Sequence, residues 1–204
     1  MRTRTIEWRN GTVVTIDQAR LPQETVTLEM KSCREVAEAI KTMRIRGAPL
    51  LGAAAAFALA LTAYNSKAKS RDRLFSELEK AAEILKETRP TAVNLFWSID
   101  RVLAKAKDFS GDAEALAAFV IEEAQKIADE DAAANRLIGK YGAELIRDED
   151  VILTHCNAGA LATVEYGTAL GVVRAAWEQG KKIRVITTET RPKLQGARLT
   201  TYEL

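Results

Sequence analysis

The stretch VILTHCNAGALAT, residues 151–163, decides the fold. Its first four residues form a short, largely apolar run that suits a buried parallel strand. Asn157-Ala158-Gly159 follows as a turn, and a polar hinge at residues 148–150 separates the stretch from what precedes it. We therefore place a boundary at this hinge, with one domain over residues 1–147 and a second over 148–204.

The rest of the second domain continues as an α/β pattern. We predict a helix over 163–179 ended by Gly180, a strand over 183–187 and a second helix over 195–204. Strand, helix, strand and helix in this order open a doubly wound, Rossmann-like parallel sheet. Two strands alone do not make a stable parallel sheet, because both faces need helices and both edges stay open. We therefore expect this domain to be incomplete, either in a truncated fragment or with its missing strands supplied from elsewhere.

The first domain has the pattern of a mostly helical unit that begins with a small β element. Asn10-Gly11 is a strong hairpin signal, because both turn positions favour positive φ. Ser32 and Glu35 form a capping box at the first helix. Strands are predicted over 5–9, 12–17 and 24–30. Helices are predicted over 32–44, along the alanine-rich run after Pro49, over 71–87 and 90–107, and from 112 to near 147, with a break left open near 131–135.

The charge and composition of the chain limit the binding partners and locations that we expect. The formal charge is only +2, from 30 basic and 28 acidic residues, which gives no reason to expect nucleic acid or an acidic membrane. Residues 47–64 carry no charge, but the run is short for a membrane span and rich in alanine, so we predict a buried core helix. Two cysteines do not suggest a disulfide scaffold, and without a secretory signal a reducing, cytoplasmic location is expected.

The first candidate anion site is Arg46-Gly47-Ala48-Pro49, just before the alanine-rich helix. The first N–H groups of a helix have no internal acceptor, and the helix dipole favours an anion there. Gly47 would let a phosphate approach closely, and Arg46 could fork two of its oxygens. The alternative is a tight turn into a core helix.

The segment Arg89-Pro90-Thr91 repeats this pattern at the next predicted helix start, with Asn94 able to bond locally. The alternative is an ordinary helix start with a surface arginine. Two such starts that converge on one phosphate would make a plausible site.

Cys156 lies after the first strand of the parallel sheet, where ligands bind in open α/β folds. A cysteine that faces a helix N-terminus should have a lowered pKa and a reactive thiolate, although a buried structural cysteine is the common alternative. His155, the single histidine, should point to the other side of the strand and play a core or supporting role. Cys33 is assigned a structural role, and these residues lack metal-ligand spacing.

Gln195 follows the second strand and can donate to a phosphate or sugar oxygen, with Arg191 and Arg198 adding charge. The alternative is a structural connection. Dinucleotide binding is disfavoured, because the first turn is NAGALAT rather than a GxGxxG motif, and no P-loop is present.

Five pieces together resemble the methylthioribose-1-phosphate isomerase family: RGAPLLG (46–52), RPTAVNL (89–95), THCNAGALAT (154–163), YGTALGV (166–172) and ETRPKLQGARLT (189–200). The resemblance implies an aldose–ketose isomerase of methionine salvage that converts 5-methylthioribose 1-phosphate to 5-methylthioribulose 1-phosphate. It implies no cofactor or metal, a cytoplasmic enzyme, and a homodimer in the complete protein. Ribose-1,5-bisphosphate isomerases and the non-catalytic regulatory subunits of the initiation-factor exchange complex share the fold and remain alternatives.

The resemblance also assigns roles to residues. It gives Cys156 the chemistry at the sugar, and it gives substrate and phosphate binding to Arg46, Gly47, Ala48, Arg89 and Gln195. The family's catalytic aspartate and the Asn-Lys pair that follows it are not in this sequence, so we expect this chain alone to be inactive. Thr188 also stands where the family typically has an acidic residue.

Overall fold

A computed structural model describes residues 4–204; residues 1–3 of the predicted first domain lie outside the described residues. The chain opens with three antiparallel strands in the order β1-β2-β3, which are Ile6–Arg9, Thr12–Ile16 and Thr27–Met30. The predicted hairpin is confirmed, since Asn10 and Gly11 both have positive φ. The third strand is shorter than predicted.

Helices follow the small sheet, and most begin where their capping residues predict. Ser32 and Glu35 make the predicted capping box, Ser70 caps the third helix and Asp112 caps the fifth. The fifth helix runs without a break, which settles the question left open near residue 131. The helices are α1 (Cys33–Lys41), α2 (Ala48–Asn65), α3 (Arg71–Lys86), α4 (Val93–Asp108) and α5 (Ala113–Glu144).

Helix α2 is the centre of the main core. Its side chains from Leu50 to Leu61 are all buried, and α1, α3, α4 and α5 pack around it. By length and composition alone the helix could cross a membrane, but most of it lies inside the protein. The predicted core helix is therefore confirmed. Its many alanines present little side-chain bulk, so four helices can approach it closely.

The start of α4 was predicted wrongly. The helix begins at Val93, three residues after Pro90, and Ala92 occupies the N-cap without a side-chain hydrogen bond. Residues 88–92 form turns instead, in which Ala92 N–H bonds the carbonyl of Arg89. Arg89 thus lies on a turn ahead of the helix rather than directly beside its first residue.

The last part of the chain contains a parallel pair of strands, β4 (Val151–Thr154) and β5 (Arg184–Thr187), which pair in register. The helix α6 (Ala169–Glu178) lies between them in sequence and ends before Gly180, which has positive φ. The chain ends in a π-helical turn (Gly196–Thr200) and the short helix α7 (Thr201–Glu203).

The predicted helix over 163–179 is wrong in its first third. A 3₁₀ turn, Ala160–Ala162, is followed by irregular chain up to Thr168. Tertiary bonds hold this segment: Thr5 N–H donates to the Val164 carbonyl, and Asp131 accepts from Val164 N–H. A bridge between Gly159 and Gly167 closes the loop. These bonds outweigh the local helical propensity.

The class is therefore α/β with two small sheets in the described part of the chain. One face of the parallel pair is uncovered, because Leu153 is 69% exposed and Ile186 is 54% exposed. The opposite face, which includes Val185, borders α6. Both outer edges of the pair remain open within residues 4–204.

The bond between Asp131 and Val164 gives a pH-dependent prediction. Burial raises the pKa of the Asp131 carboxyl, and its hydrogen bond from Val164 opposes this shift. Because the folded pKa lies above the unfolded value, the proton's stabilising contribution is fully present below about 3.9 and is lost as pH rises through the raised pKa. We expect Asp131→Asn, which keeps an acceptor without charge, to gain stability relative to wild type as pH rises through this window.

Urea unfolding between about pH 4 and about pH 7 measures this difference. Asp131→Ala is the matched control: it lacks an acceptor for Val164 N–H and should lose about 1 kcal/mol more than the Asn variant. Equal stability of the Asn and Ala variants at every pH would contradict the assigned role.

Candidate active site

Arg46 is buried and is held by the turn that follows β4. Its side chain is only 8% exposed. Nη2 donates to the Asn157 carbonyl at 2.9 Å, while Nη1 donates to Asn157 Oδ1 and, at 3.4 Å, to Gln18 Oε1. The guanidinium fork expected to face a phosphate is thus largely directed at Asn157.

Gly47 is required by the fold itself. It is the N-cap of α2 with φ +98°, and a Cβ built on it would lie 2.4 Å from Ala162 Cα. The close approach that glycine permits here is therefore to the 3₁₀ turn. The proposed contacts of Gly47 and Ala48 with phosphate stay a prediction.

The first turns of α2 and α4 lie side by side. A Cβ built on Gly52 would be 3.1 Å from the Asn94 carbonyl oxygen, so only a glycine fits this crossing comfortably. Neither Gly47 nor Ala92, the two N-caps, provides a side-chain cap. Two helix starts without side-chain caps therefore adjoin. Their convergence on one phosphate, which the two arginine-plus-proline segments indicated, stays a prediction.

Arg89 adds a second positive charge near Arg46. Its Nη1 is buried and has no hydrogen-bond partner among the described residues. Burial lowers the pKa of Arg46 and the charge of Arg89 lowers it further, while Cys156 and Glu203 oppose the shift. Cys156, Glu203 and Arg89 are thus each within electrostatic reach of Arg46. A buried guanidinium N–H without an acceptor is costly, and an anion would satisfy it.

Cys156 is half-buried and has a left-handed backbone with φ +62°. Its N–H donates to Thr190 Oγ1 at 2.9 Å, and its carbonyl accepts from Thr200 Oγ1 at 2.6 Å. The residue follows the carboxyl end of β4, as predicted. Its reactivity as a thiolate stays a prediction.

Glu203 binds the turn after β4 through hydrogen bonds, a role that the sequence did not reveal. Its carboxylate accepts from Asn157 Nδ2 at 2.8 Å and from Ala160 N–H at 2.6 Å. Burial raises the pKa of Glu203, and these hydrogen bonds oppose the rise. Asn157 consequently donates to Glu203 and accepts from Arg46, which fixes the orientation of its amide. The only sequence signal was the position of Asn157 beside Cys156.

The other predicted residues have varied surroundings. Gln195 is half-buried and precedes Gly196, which packs tightly on the Thr188 carbonyl; its contact with substrate stays a prediction. Arg198 donates to the carbonyls of Gln18 and Leu21, and the contribution of its charge to the site stays a prediction. Arg191 is exposed.

The two remaining candidates behave largely as expected. His155 is exposed rather than in the core, and its Nδ1 lies 2.7 Å from Thr188 Oγ1, which fits a supporting role. Cys33 packs against the main core, and burial raises the pKa of its thiol to about 11, which fits a structural role. Within residues 4–204 no cluster of His, Cys, Asp and Glu is arranged to hold a metal ion.

A cavity of about 790 Å³ lies next to this site rather than in it. Within the described residues its lining includes Glu203 but not Arg46, Arg89 or Cys156. We favour the arginine site over the cavity as the ligand site, because the cavity borders the open sheet and Arg136 and Glu178 already have hydrogen-bond partners there. Arg174, which also lines the cavity, lies over the Tyr166 ring. The lining includes Arg136, Tyr166, Arg174, Trp177, Val185 and Glu203.

Fold and site together define an α/β protein with paired cationic groups and a cysteine beyond the carboxyl ends of parallel strands. The model of the Initiation factor 2 subunit family matches residues 44–204, and the chain belongs to this family. A curated relative from Desulforudis audaxviator, named methylthioribose-1-phosphate isomerase, is 52% identical over 204 residues. The match covers 100% of this chain and 58% of that relative, so the chain spans less than two thirds of the relative's length.

Two solved structures are similar at comparable identity. The 5-methylthioribose 1-phosphate isomerase of Pyrococcus horikoshii is 48% identical with a TM-score of 0.94, covering 98% of this chain and 56% of that one. A structure from A. fulgidus described as translation initiation factor eIF-2B, subunit delta, is 50% identical with a TM-score of 0.89. That match covers 99% of this chain and 59% of the other.

The contact between Gly47 and Ala162 can be tested by a pair of glycine substitutions. Gly47→Ala adds a Cβ that collides with backbone, so we expect it to lower the free energy of unfolding by about 2 kcal/mol or more. Gly180→Ala is the control, since Gly180 has φ +84° but open space around it. It should cost only about 1 kcal/mol. Equal losses in urea unfolding would show that the contact with the 3₁₀ turn is not tight.

Proposed function

We propose that this chain is part of an aldose–ketose isomerase that converts 5-methylthioribose 1-phosphate to 5-methylthioribulose 1-phosphate in methionine salvage. The supporting observation is the buried Nη1 of Arg89, which has no partner within residues 4–204, together with the electrostatic coupling of Arg46 to both Arg89 and Cys156. The names of the relatives at about 50% identity agree with this reaction.

The geometry indicates which residues bind the phosphate and which bind the rest of the substrate. We assign the phosphate of the sugar to Arg89 and to backbone N–H groups at the starts of α2 and α4, where charge and helix dipoles favour an anion. Arg46 holds the turn after β4 and contributes its remaining N–H groups and positive charge. Gln195, Gly47 and Ala48 are assigned to substrate binding by the resemblance.

Cys156 is assigned to the reacting carbons. The phosphate ester at C1 prevents the sugar ring from opening as a free hemiacetal would. The ring oxygen must gain a proton while hydrogen moves from C2 to C1. A thiolate at Cys156 can take the C2 proton, or it can polarise the O2 hydroxyl during a hydride shift. Either role requires the sulfur to face the sugar beside the bound phosphate.

The fuller architecture belongs to the same proposal. We propose that the hinge at 148–150 divides the protein into a helical domain, residues 1–147, and the first half of a Rossmann-like catalytic domain, residues 148–204. Because relatives are longer than this chain, we assign completion of the site to the part beyond the match and propose that these 204 residues alone do not turn over substrate. We expect a cytoplasmic homodimer of the complete protein without a cofactor.

A second candidate is an interaction protein of the initiation-factor exchange type. The A. fulgidus structure described as an eIF-2B subunit, at 50% identity, is the observation that favours it. Pure protein binding, however, does not require a buried arginine N–H that lacks an acceptor among the described residues. Phosphosugar binding therefore separates the two proposals.

The Arg89 assignment predicts the outcome of a binding measurement. Titration calorimetry with 5-methylthioribose 1-phosphate should detect binding to the 204-residue chain, and Arg89→Ala should weaken it about tenfold or more, because a charge-assisted hydrogen bond to phosphate is lost. Arg191→Ala, which removes an exposed arginine, is the matched control and should change the affinity less than about threefold. Absence of binding, or equal effects of the two variants, would favour the interaction protein.

A further inference from the structure

The backbone of Cys156 has a left-handed conformation that residues with a Cβ do not favour. A residue with a Cβ in the left-handed region costs about 1 kcal/mol or more, and such residues persist where the surroundings hold them. Glycine would adopt a φ of +62° without strain, but position 156 is a cysteine. The surroundings must therefore hold the Cys156 peptide groups in place.

Two threonine hydroxyls do so, one on each side of the residue. Thr190 Oγ1 accepts the Cys156 N–H at 2.9 Å, and Thr200 Oγ1 donates to the Cys156 carbonyl at 2.6 Å. Thr200 is fully buried and also accepts from Asn157 Nδ2 at 3.2 Å. Its donor and one of its acceptor positions are thus both used on the turn that carries the cysteine.

The hydroxyl of Thr190 is anchored in turn. Thr188 Oγ1 lies 3.3 Å from Thr190 Oγ1 and 2.7 Å from His155 Nδ1. The chain of contacts runs from His155 through the two hydroxyls to the N–H of Cys156. It connects the segment after β5 to the residues after β4 and gives the single histidine a place in the arrangement.

We propose that Thr190 and Thr200 are positioning residues that hold Cys156 in its left-handed conformation, so that its sulfur faces the Arg46 side of the site. This inference rests on the proposed function, since it concerns the same site, but it names residues that the resemblance does not assign. Each hydrogen bond contributes free energy comparable to the backbone strain, so loss of either hydroxyl lets the peptide relax.

The test measures the reactivity of Cys156 directly and needs no substrate. Iodoacetamide labels the intact chain, and peptide mass spectrometry gives separate rates for Cys156 and Cys33. Thr200→Val keeps the size and shape of the side chain but removes the hydroxyl. We expect it to slow labelling of Cys156 about fivefold or more, because the sulfur turns away from the Arg46 side of the site. Thr200→Ser, which keeps the hydroxyl, should remain within about twofold of wild type.

Cys33, which is partly buried against the main core, serves as the internal reference, because faster labelling there reports general opening of the structure. The proposal is supported if Thr200→Val labels Cys156 more slowly while the Cys33 rate is unchanged, and if Thr200→Ser restores the wild-type rate at Cys156. An unchanged Cys156 rate in Thr200→Val overturns it, as does equal slowing in Thr200→Ser. If Thr200→Val speeds labelling of Cys33, the pair Thr190→Val and Thr190→Ser decides by the same criteria.

The labelling result is independent of phosphosugar binding. If the threonine variants behave as expected but no phosphosugar binds to the wild type, the positioning role holds and the proposed function fails. If the wild type binds the phosphosugar but the labelling rate of Cys156 is unchanged in both Thr190→Val and Thr200→Val, only the positioning role fails.

Discussion

The contact between Arg46 and Asn157 joins the start of the central helix to the turn after the first parallel strand, across 111 residues of sequence. A buried guanidinium is costly unless its N–H groups find acceptors, and Asn157 supplies both its carbonyl and its side-chain oxygen. Glu203 holds the other end of the same amide. Because Gly47 also packs on the 3₁₀ turn, the relative positions of the helix start and the cysteine turn are fixed together.

This arrangement leaves a specific electrostatic imbalance. Arg46 is largely satisfied by protein oxygens, whereas Arg89 retains a buried N–H without an acceptor among the described residues. Two uncapped helix starts add their dipoles at the same place. Glu203 compensates some of this charge but is occupied by Asn157 and the 3₁₀ turn. An external anion is the simplest way to satisfy the buried N–H of Arg89.

Local signals in the sequence predicted the elements that local chemistry determines. Asn10-Gly11, the capping residue Ser32 and the uncharged α2 run were sufficient for the hairpin, the first helix and the core helix. The start of the predicted helix at 163 was wrong, because Asp131 and Thr5 bond that segment from distant parts of the chain. In the site, Arg46 and Cys156 could be selected by motif, but Thr200 and Glu203 could not. Their roles arise only when the chain's last turn folds back under the cysteine.

The most direct measurement is a crystal structure of this chain with 5-methylthioribose 1-phosphate. The phosphate should lie within hydrogen-bond distance of Arg89 Nη1 at the starts of α2 and α4, with the sugar directed toward the Cys156 sulfur. A phosphosugar bound instead in the cavity between α5, α6 and β5, with Arg89 Nη1 still unpartnered, would contradict the account.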